Sequence, residues 1–422
     1  MRYENIDQSL FIKNRKKYLS QMPEGSVSVF ASNDILPSNA DGSFGFIQNS
    51  TFFYLTGIDQ EDCFLILVRG GGEYLFVKET SELIKVWDGE KLSKEQAQKL
   101  SGIKEVHWLE DFWKVLDVHL SNREEVFVYR DTTQAARFPS FRLKGGLLAH
   151  HLQEKYPLVE IRNPEKVLDQ IRLIKESEEI NAMKVAIETT HKGLLRAAKF
   201  LRPGKFEFEV EAEITHEFLM NRSRFHAFSP IIASGANACV LHYVDNNNRI
   251  ENGDLVLIDF GAEYGNYKAD MTRTLPANGK FTDRQADVYA SVLHVLKETR
   301  KLMVTGNTVM NLKKETQDLI AKEIVKLGLV TEADLKRSPE LVMKYFPHGV
   351  SHSLGIDVHD VGNRNTLLAS GMVLTCEPGI YIMEESLGIR LENDILITES
   401  GNIDLMAHVP LELEEIEKMM KC

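Results

Sequence analysis

Five side chains in the C-terminal part of this sequence could hold a pair of hard divalent cations. They are Asp259, Asp270, His352, Glu377 and Glu392. Asp259 ends the apolar run Leu255-Val256-Leu257-Ile258, and Asp270 opens Met271-Thr272-Arg273. His352 closes His348-Gly349-Val350-Ser351, Glu377 precedes Pro378-Gly379, and Glu392 follows Gly388-Ile389-Arg390-Leu391. A carboxylate inside apolar strand sequence is costly to bury unless a positive charge meets it. Four carboxylates and one imidazole match the charge and ligand preference of a two-ion hydrolytic centre.

The spacing gives a reason for these residues to meet. A hairpin turning at Tyr264-Gly265 would set Asp259 directly opposite Asp270, with Cβ atoms roughly 5 Å apart on one face. Two aspartates that close repel, and a cation between them removes the conflict. The alternative is a solvent-facing pair, which the apolar Leu255, Leu257 and Ile258 argue against. Glu377 and Glu392 are centred in the same way on Glu384-Glu385, between Ile380-Tyr381-Ile382 and Gly388-Ile389-Arg390-Leu391. Pro378 lacks an N–H, so this second register is expected to be the less regular of the two. His348 and His352 are four apart, but Gly349 and Val350 between them disfavour a helix, so a loop or strand is expected there. His242 and His359 lie in segments near the same set.

These residues need elements to carry them. The first part of the chain reads as α/β. Strand runs are Ser26–Phe30, Phe64–Val68, Tyr74–Val77 and Val126–Tyr129, and Ser93-Lys94-Glu95-Gln96 has capping-box spacing. Gly70-Gly71-Gly72 between two of the strands reads as a hairpin turn, since no helix start follows it. A domain boundary is expected at Asn163-Pro164-Glu165, giving domains 1–165 and 166–422. Beyond it, helices are expected from Ser177-Glu178-Glu179-Ile180, after Pro203-Gly204, from Thr282-Asp283-Arg284-Gln285, and up to Leu327-Gly328. They alternate with the acid-bearing strands, an α+β pattern with antiparallel hairpins.

Composition narrows the function class. Acids exceed bases, 62 against 50, for a formal charge of −12. That balance argues against nucleic acid as a partner, which would ask for a basic face. No apolar stretch approaches the length of a membrane span, and Met1–Asp7 lacks the apolar core of a secretory signal. Cys63, Cys239, Cys376 and Cys422 are far apart and are expected as free thiols in a cytoplasmic protein.

The local strings carry a resemblance. Leu241-His242-Tyr243, Ile258-Asp259-Phe260-Gly261-Ala262, Asp270-Met271-Thr272-Arg273-Thr274, His348–Asp360, Glu377-Pro378-Gly379-Ile380-Tyr381 and Gly388–Glu392 together resemble the Xaa-Pro aminopeptidase (aminopeptidase P) group of the pita-bread metallopeptidases. Asn49–Gly57 resembles part of that family's N-terminal domain. The resemblance implies an α/β N-terminal domain and an α+β pita-bread domain whose antiparallel sheet carries the metal site. It implies an exopeptidase that releases the residue preceding a penultimate proline, working with two divalent ions. Mn²⁺ is expected, with Co²⁺ or Zn²⁺ able to substitute. Asp259, Asp270, His352, Glu377 and Glu392 would be ligands, with Glu377 also the proton shuttle. His348 would contact the substrate carbonyl or its oxyanion, His242 and His359 would line the proline side, and Arg390 would wall the pocket or orient a ligand carboxylate.

The resemblance also implies a homo-oligomer, a dimer or tetramer. Two positions leave the family pattern. Thr51 stands where relatives often carry an acid that can assist a neighbouring subunit, and Asn393 replaces an acid after the last ligand. Related alternatives are an Xaa-Pro dipeptidase, of which Phe346-Pro347-His348-Gly349 is reminiscent, and a pita-bread protein that only binds partners. The latter typically lacks some ligands. Methionine aminopeptidase and creatinase fit less well, the first for the long N-terminal part and the second for the intact ligand set.

Overall fold

The computed structural model describes residues 3–140 and 143–421, so Cys422 lies outside the described residues. Cys63, Cys239 and Cys376 are free thiols. The chain divides into two compact units, residues 3–172 and residues 173 onward. The division falls after Arg172 rather than at the expected Asn163-Pro164-Glu165. Helix Glu165–Leu173 goes largely with the first unit because its end is tied there: Arg172 Nη1 donates to Thr51 Oγ1 at 3.1 Å and Tyr54 Oη to the Ile171 carbonyl at 3.3 Å.

In the first unit, strands β1 (Val27–Ala31), β2 (Phe64–Val68), β3 (Glu73–Val77), β4 (Glu105–Trp108), β5 (Glu125–Val128) and β6 (Glu160–Arg162) form one sheet ordered β4-β3-β2-β1-β5-β6. Antiparallel pairing joins β1, β2 and β3, and the other neighbours are parallel. Val27, Val29, Ile66, Phe76, Val126 and Val128 pack on Phe112, Leu116, Leu148 and Leu152 of the covering helices. Gly70-Gly71-Gly72 lies in the β2–β3 hairpin, and Ser93 forms the anticipated capping box with Gln96. Strands β4 and β6 were not expected; they are short, and their exposed or half-buried ends give weak alternation.

The second unit is built of helices around antiparallel sheets. Its strands are β7 (Ile231–Ser234), β8 (Leu255–Phe260), β9 (Glu263–Tyr264), β10 (Tyr267–Lys268), β11 (Met271–Pro276), β12 (Val373–Cys376), β13 (Gly379–Ile382), β14 (Leu387–Arg390), β15 (Asn393–Thr398) and β16 (Gly401–Asp404). They pair as β11-β8-β7, β10-β9, β12-β15-β16 and β13-β14. The expected helices are present as Ser177–Phe200, Glu207–Met220, Asp283–Leu302 and Val309–Lys326. The first starts one residue early: Glu176 is the cap, its N–H bonded by the Glu179 carboxylate at 2.8 Å. Thr282 caps the third as anticipated.

Strand β8 shows how the fold delivers a charge to its interior. All six of its residues are buried. Successive side chains alternate faces. Phe260 stacks toward Phe218 of helix Glu207–Met220, with centroids 6.0 Å apart. Leu257 and Asp259 share the other face, where Leu257 packs with Ile231, Ala233, Ala238 and Tyr381. Burying such apolar groups stabilises by about 1.5–3 kcal/mol each. That burial holds Asp259 where its own desolvation would not place it.

The register corrects one expectation. Met271 pairs with Phe260, Thr272 with Asp259, and Tyr267 with Tyr264. The turn therefore centres on Gly265-Asn266, both with positive φ (58° and 67°), as a two-residue primed turn requires. Asp259 is opposite Thr272, not Asp270. Moving the turn by one residue shifts pairing by two positions, and an even shift preserves the face. Asp270 is thus a diagonal neighbour of Asp259 and still meets it. Between the two ladder segments the strands come very close: a Cβ on Gly261 would lie 1.7 Å from the Ala269 carbonyl oxygen.

The second register is the one that holds without change. Gly379 pairs with Arg390 in one ladder and Cys376 with Asn393 in the next. The same alignment sets Glu377 opposite Glu392 in the gap between them. Pro378 occupies that gap, where a missing N–H leaves no ladder bond unmade.

Candidate metal centre

The two hairpins bring four of the expected ligands, and the segment bridged to β12 at Ser353 brings His352, to one cavity of about 280 Å³, lined also by His242, His348, His359 and Arg390. Asp270, His352 and Glu392 present ligand atoms that all lie within 4.8 Å of one another. His352 Nε2 is 3.4 Å from Asp270 Oδ2 and 3.6 Å from Glu377 Oε1. Asp259, Asp270 and Glu392 are buried, and Glu377 is half-buried at the cavity wall.

This crowd of acids is electrostatically unsatisfied by protein alone. Burial, then the charges of Asp259, Asp394 and Glu377, hold the Asp270 carboxyl well above the usual carboxylate range. Burial, then Asp270, Glu377 and Asp259, do the same to Glu392. Glu377 is raised by burial and by Asp259, against His352 and Arg390. Asp259 Oδ1 and Asp270 Oδ1 are buried with no hydrogen-bond partner. Buried orphan oxygens normally cost about 1–3 kcal/mol each. Divalent cations held by these five side chains would satisfy both, so the residues present fit such ions.

The supporting contacts fix the carboxylates in place. Thr272 Oγ1 donates to Glu392 Oε2 at 2.6 Å, and Glu392 N–H donates to the Thr272 carbonyl at 3.1 Å. Asp270 N–H donates to Asp394 Oδ2 at 3.3 Å. Arg390 contacts the carboxylate of the candidate ligand Asp259: Nη2 reaches Asp259 Oδ2 at 2.5 Å, Nε reaches Thr272 Oγ1 at 3.1 Å, and Nη1 reaches Tyr381 Oη at 3.0 Å. Arg390→Met removes the only guanidinium on Asp259 among these contacts. It is expected to destabilise the metal-free protein by about 3–5 kcal/mol, the cost of breaking a buried ion pair from one side. Urea denaturation measures this, and a loss under about 1 kcal/mol would count against the role.

His348 is linked to the same arginine. Its Nδ1 lies 2.6 Å from the Gly349 carbonyl and its Nε2 2.8 Å from Tyr381 Oη. A carbonyl only accepts, so Nδ1 carries the proton and Nε2 accepts from the tyrosine. Burial, then Arg390, push the His348 pKa down to about 3, so the ring is neutral near pH 7. Both nitrogens are engaged, and a substrate oxygen would have to displace one of these bonds. His242 and His359 are exposed at the rim, the latter edge-to-face with His352 at 4.3 Å. The cavity lining also includes the apolar side chains Phe228, Ile231, Leu241, Val244 and Val358.

Sequence reasoning missed Tyr381, Thr272, Asp394 and the apolar lining. Tyr381 and Thr272 stood inside quoted strings, and their alternation with Gly379 and Asp270 was the available signal. The two departures have structural accounts. Thr51 is buried against Arg172. Asn393 accepts from Arg273 Nη2 at 2.8 Å and donates to Asp404 Oδ2 at 2.9 Å. An aspartate there could do the first and would repel Asp404 at the second.

Known proteins match this chain over nearly its whole length. Residues 181–399 match the model of metallopeptidase family M24, and residues 11–129 match the aminopeptidase P N-terminal domain. The chain is 34% identical to the Xaa-Pro aminopeptidase of Haemophilus influenzae, over 97% of this chain and 96% of the relative. It is 34% identical to that of Escherichia coli, over 98% of each. The solved structure of Zn-substituted E. coli aminopeptidase P in complex with product superposes with a TM-score of 0.88 at 32% identity, covering 99% of each chain.

Proposed function

The chain belongs to metallopeptidase family M24, in its Xaa-Pro aminopeptidase branch, and from that premise we propose that it releases the N-terminal residue from peptides with proline in the second position. The observation that carries the reading is that four carboxylates and one imidazole share one cavity with a set of apolar side chains. We propose Asp259, Asp270, His352, Glu377 and Glu392 as ligands of two divalent ions, Mn²⁺ by the oxygen-rich donor set, with Co²⁺ or Zn²⁺ able to replace it. Such ions supply acidified water and polarise the scissile carbonyl when bound.

The chain's own residues do the rest. Glu377 takes a proton from the attacking water and returns it to the proline nitrogen as the C–N bond breaks. His348, neutral and held by Tyr381, faces the substrate carbonyl oxygen. Arg390 keeps Asp259 in its ligand orientation. An Xaa-Pro bond has no N–H to read. Recognition therefore falls on shape, with Phe228, Ile231, Leu241 and Val358 receiving apolar surface and His242 and His359 flanking the pyrrolidine. Assembly into a dimer or tetramer and a cytoplasmic location belong to the same proposal. Among the described residues no helix is long and apolar enough to cross a membrane.

The test is turnover in added Mn²⁺ of Xaa-Pro-Yaa tripeptides beside Xaa-Pro dipeptides. Faster release from tripeptides is expected. Preference for dipeptides would reassign the chain to the dipeptidases, and no turnover with metal confirmed bound would leave the partner-binding role.

A further inference from the structure

We propose that Glu188, His191 and His408 form a second metal site, outside the peptidase centre, for a borderline divalent cation such as Zn²⁺. Glu188 and His191 are three apart on helix Ser177–Phe200, so they share a face. His408 comes from the segment between β16 and the last helix, Leu413–Met419. The ligand atoms of all three lie within 4.8 Å of one another. His408 Nε2 is 3.3 Å from Glu188 Oε2, and His191 Nδ1 is 3.9 Å from the same oxygen. Tetrahedral Zn²⁺ with bonds near 2.0–2.1 Å separates its ligands by about 3.3 Å, so one contact already has that spacing and the other is slightly open.

A second observation points the same way. His191 Nδ1 is buried and has no hydrogen-bond partner. Both histidines pair with the same Glu188 oxygen, but at 3.9 Å the His191 nitrogen falls short of a hydrogen bond to it. A cation uses all three. The rings of His191 and His408 sit edge-to-face with centroids 5.3 Å apart, which lets each aim a nitrogen at Glu188. Burial holds the His191 pKa below its usual value, so the ring is neutral and able to ligate. Two imidazoles and one carboxylate make the three-protein-ligand set that leaves a fourth position open to water. His408 also lines a cavity of about 490 Å³ that holds Lys199, Lys418 and Glu415.

The site has a structural consequence. Two residues past His408, the Pro410 carbonyl accepts from Arg273 Nε at 2.7 Å. Arg273 Nη1 donates to the Glu392 carbonyl at 2.7 Å. An ion joining helix Ser177–Phe200 to His408 would therefore pin the segment that supports a peptidase-centre residue.

The test loads the purified protein with Mn²⁺, equilibrates it with Zn²⁺, removes free metal and measures total Mn plus Zn per chain. Wild type is expected to hold one more ion than His191→Ala/His408→Ala, while tripeptide turnover stays within about twofold. Zn²⁺ is expected to raise the melting temperature of Mn²⁺-loaded wild type above the shift it gives the double variant, whose peptidase centre alone can exchange metal. Glu188→Gln, a change on an exposed helix face, carries the same metal readout should the double variant fold poorly. Equal metal totals in wild type and variants would overturn the proposal whatever the peptidase activity proves to be.

Discussion

Replacing Asp270 by asparagine is expected to lower kcat/KM on Xaa-Pro-Yaa substrates by at least ~10⁴-fold and, at the same time, to raise the stability of the metal-free protein. The first effect follows from position. Asp270 shares one small volume with His352 and Glu392, so its loss dismantles the shared centre. The second follows from charge. Without ions, Asp270 is buried among Asp259, Asp394, Glu377 and Glu392, and its carboxyl holds a proton well above the usual range. A neutral amide relieves that repulsion and can donate to a neighbouring carboxylate. Replacing buried ionic groups by apolar residues of similar volume is neutral or stabilises by up to roughly 1–4 kcal/mol, and the amide is expected toward the low end of that range.

The pH dependence gives the sign independently. Asp270, Glu392 and Asp394 all keep protons in the folded metal-free chain that the unfolded chain has already lost. The folded state then binds more protons, so stability falls as pH rises from the ordinary carboxylate values through the raised ones. Metal-free wild type is expected to melt higher at pH 5 than at pH 8, and Asp270→Asn to show a shallower fall. Saturating Mn²⁺ should remove the fall in wild type, because the cations stabilise the ionised carboxylates. Calorimetry with and without chelator measures all three. A metal-free variant less stable than metal-free wild type would refute the repulsion argument.

How much of this was legible in the sequence depends on the kind of inference. The meeting of the five candidate ligands in one cavity, the antiparallel hairpins and the buried strand under Asp259 could be read because burial leaves an apolar signature of fixed period. The direct pairing of Asp259 with Asp270 could not be, because it rested on placing a turn to a single residue. Gly265-Asn266 carries the primed-turn signal, and weighing the positive-φ tolerance of Asn266 would have set the centre correctly. Convergence survived because the error was even in register. The Glu377–Glu392 pairing came out right because Pro378 sits in a gap between ladders instead of within one. The Arg390–Tyr381–His348 relay was beyond reach, since it joins two separate segments through hydrogen bonds that leave no periodic trace.

Glu377→Gln is expected to lower kcat by about 10³–10⁴-fold with KM changed less than about threefold. The side chain stands at the cavity wall, its two oxygens 3.6 Å from His352 Nε2 and 3.7 Å from His348 Nδ1. Its N–H is tied to the Val350 carbonyl at 3.0 Å, and Thr375 Oγ1 donates to Oε1 at 3.4 Å, so glutamine can keep the same pose. What glutamine cannot do is hold and return a proton. A carboxylate that first accepts and then returns a proton gives kcat an acidic limb set by its own titration. The variant should therefore lose the acidic limb of the kcat–pH profile as well as its height. Metal content separates the two duties of this residue. Activity lost with metal retained assigns the defect to proton transfer. Activity and metal lost together would make Glu377 a ligand only, and the shuttle would have to be sought at His348, whose neutral ring already stands 3.7 Å away.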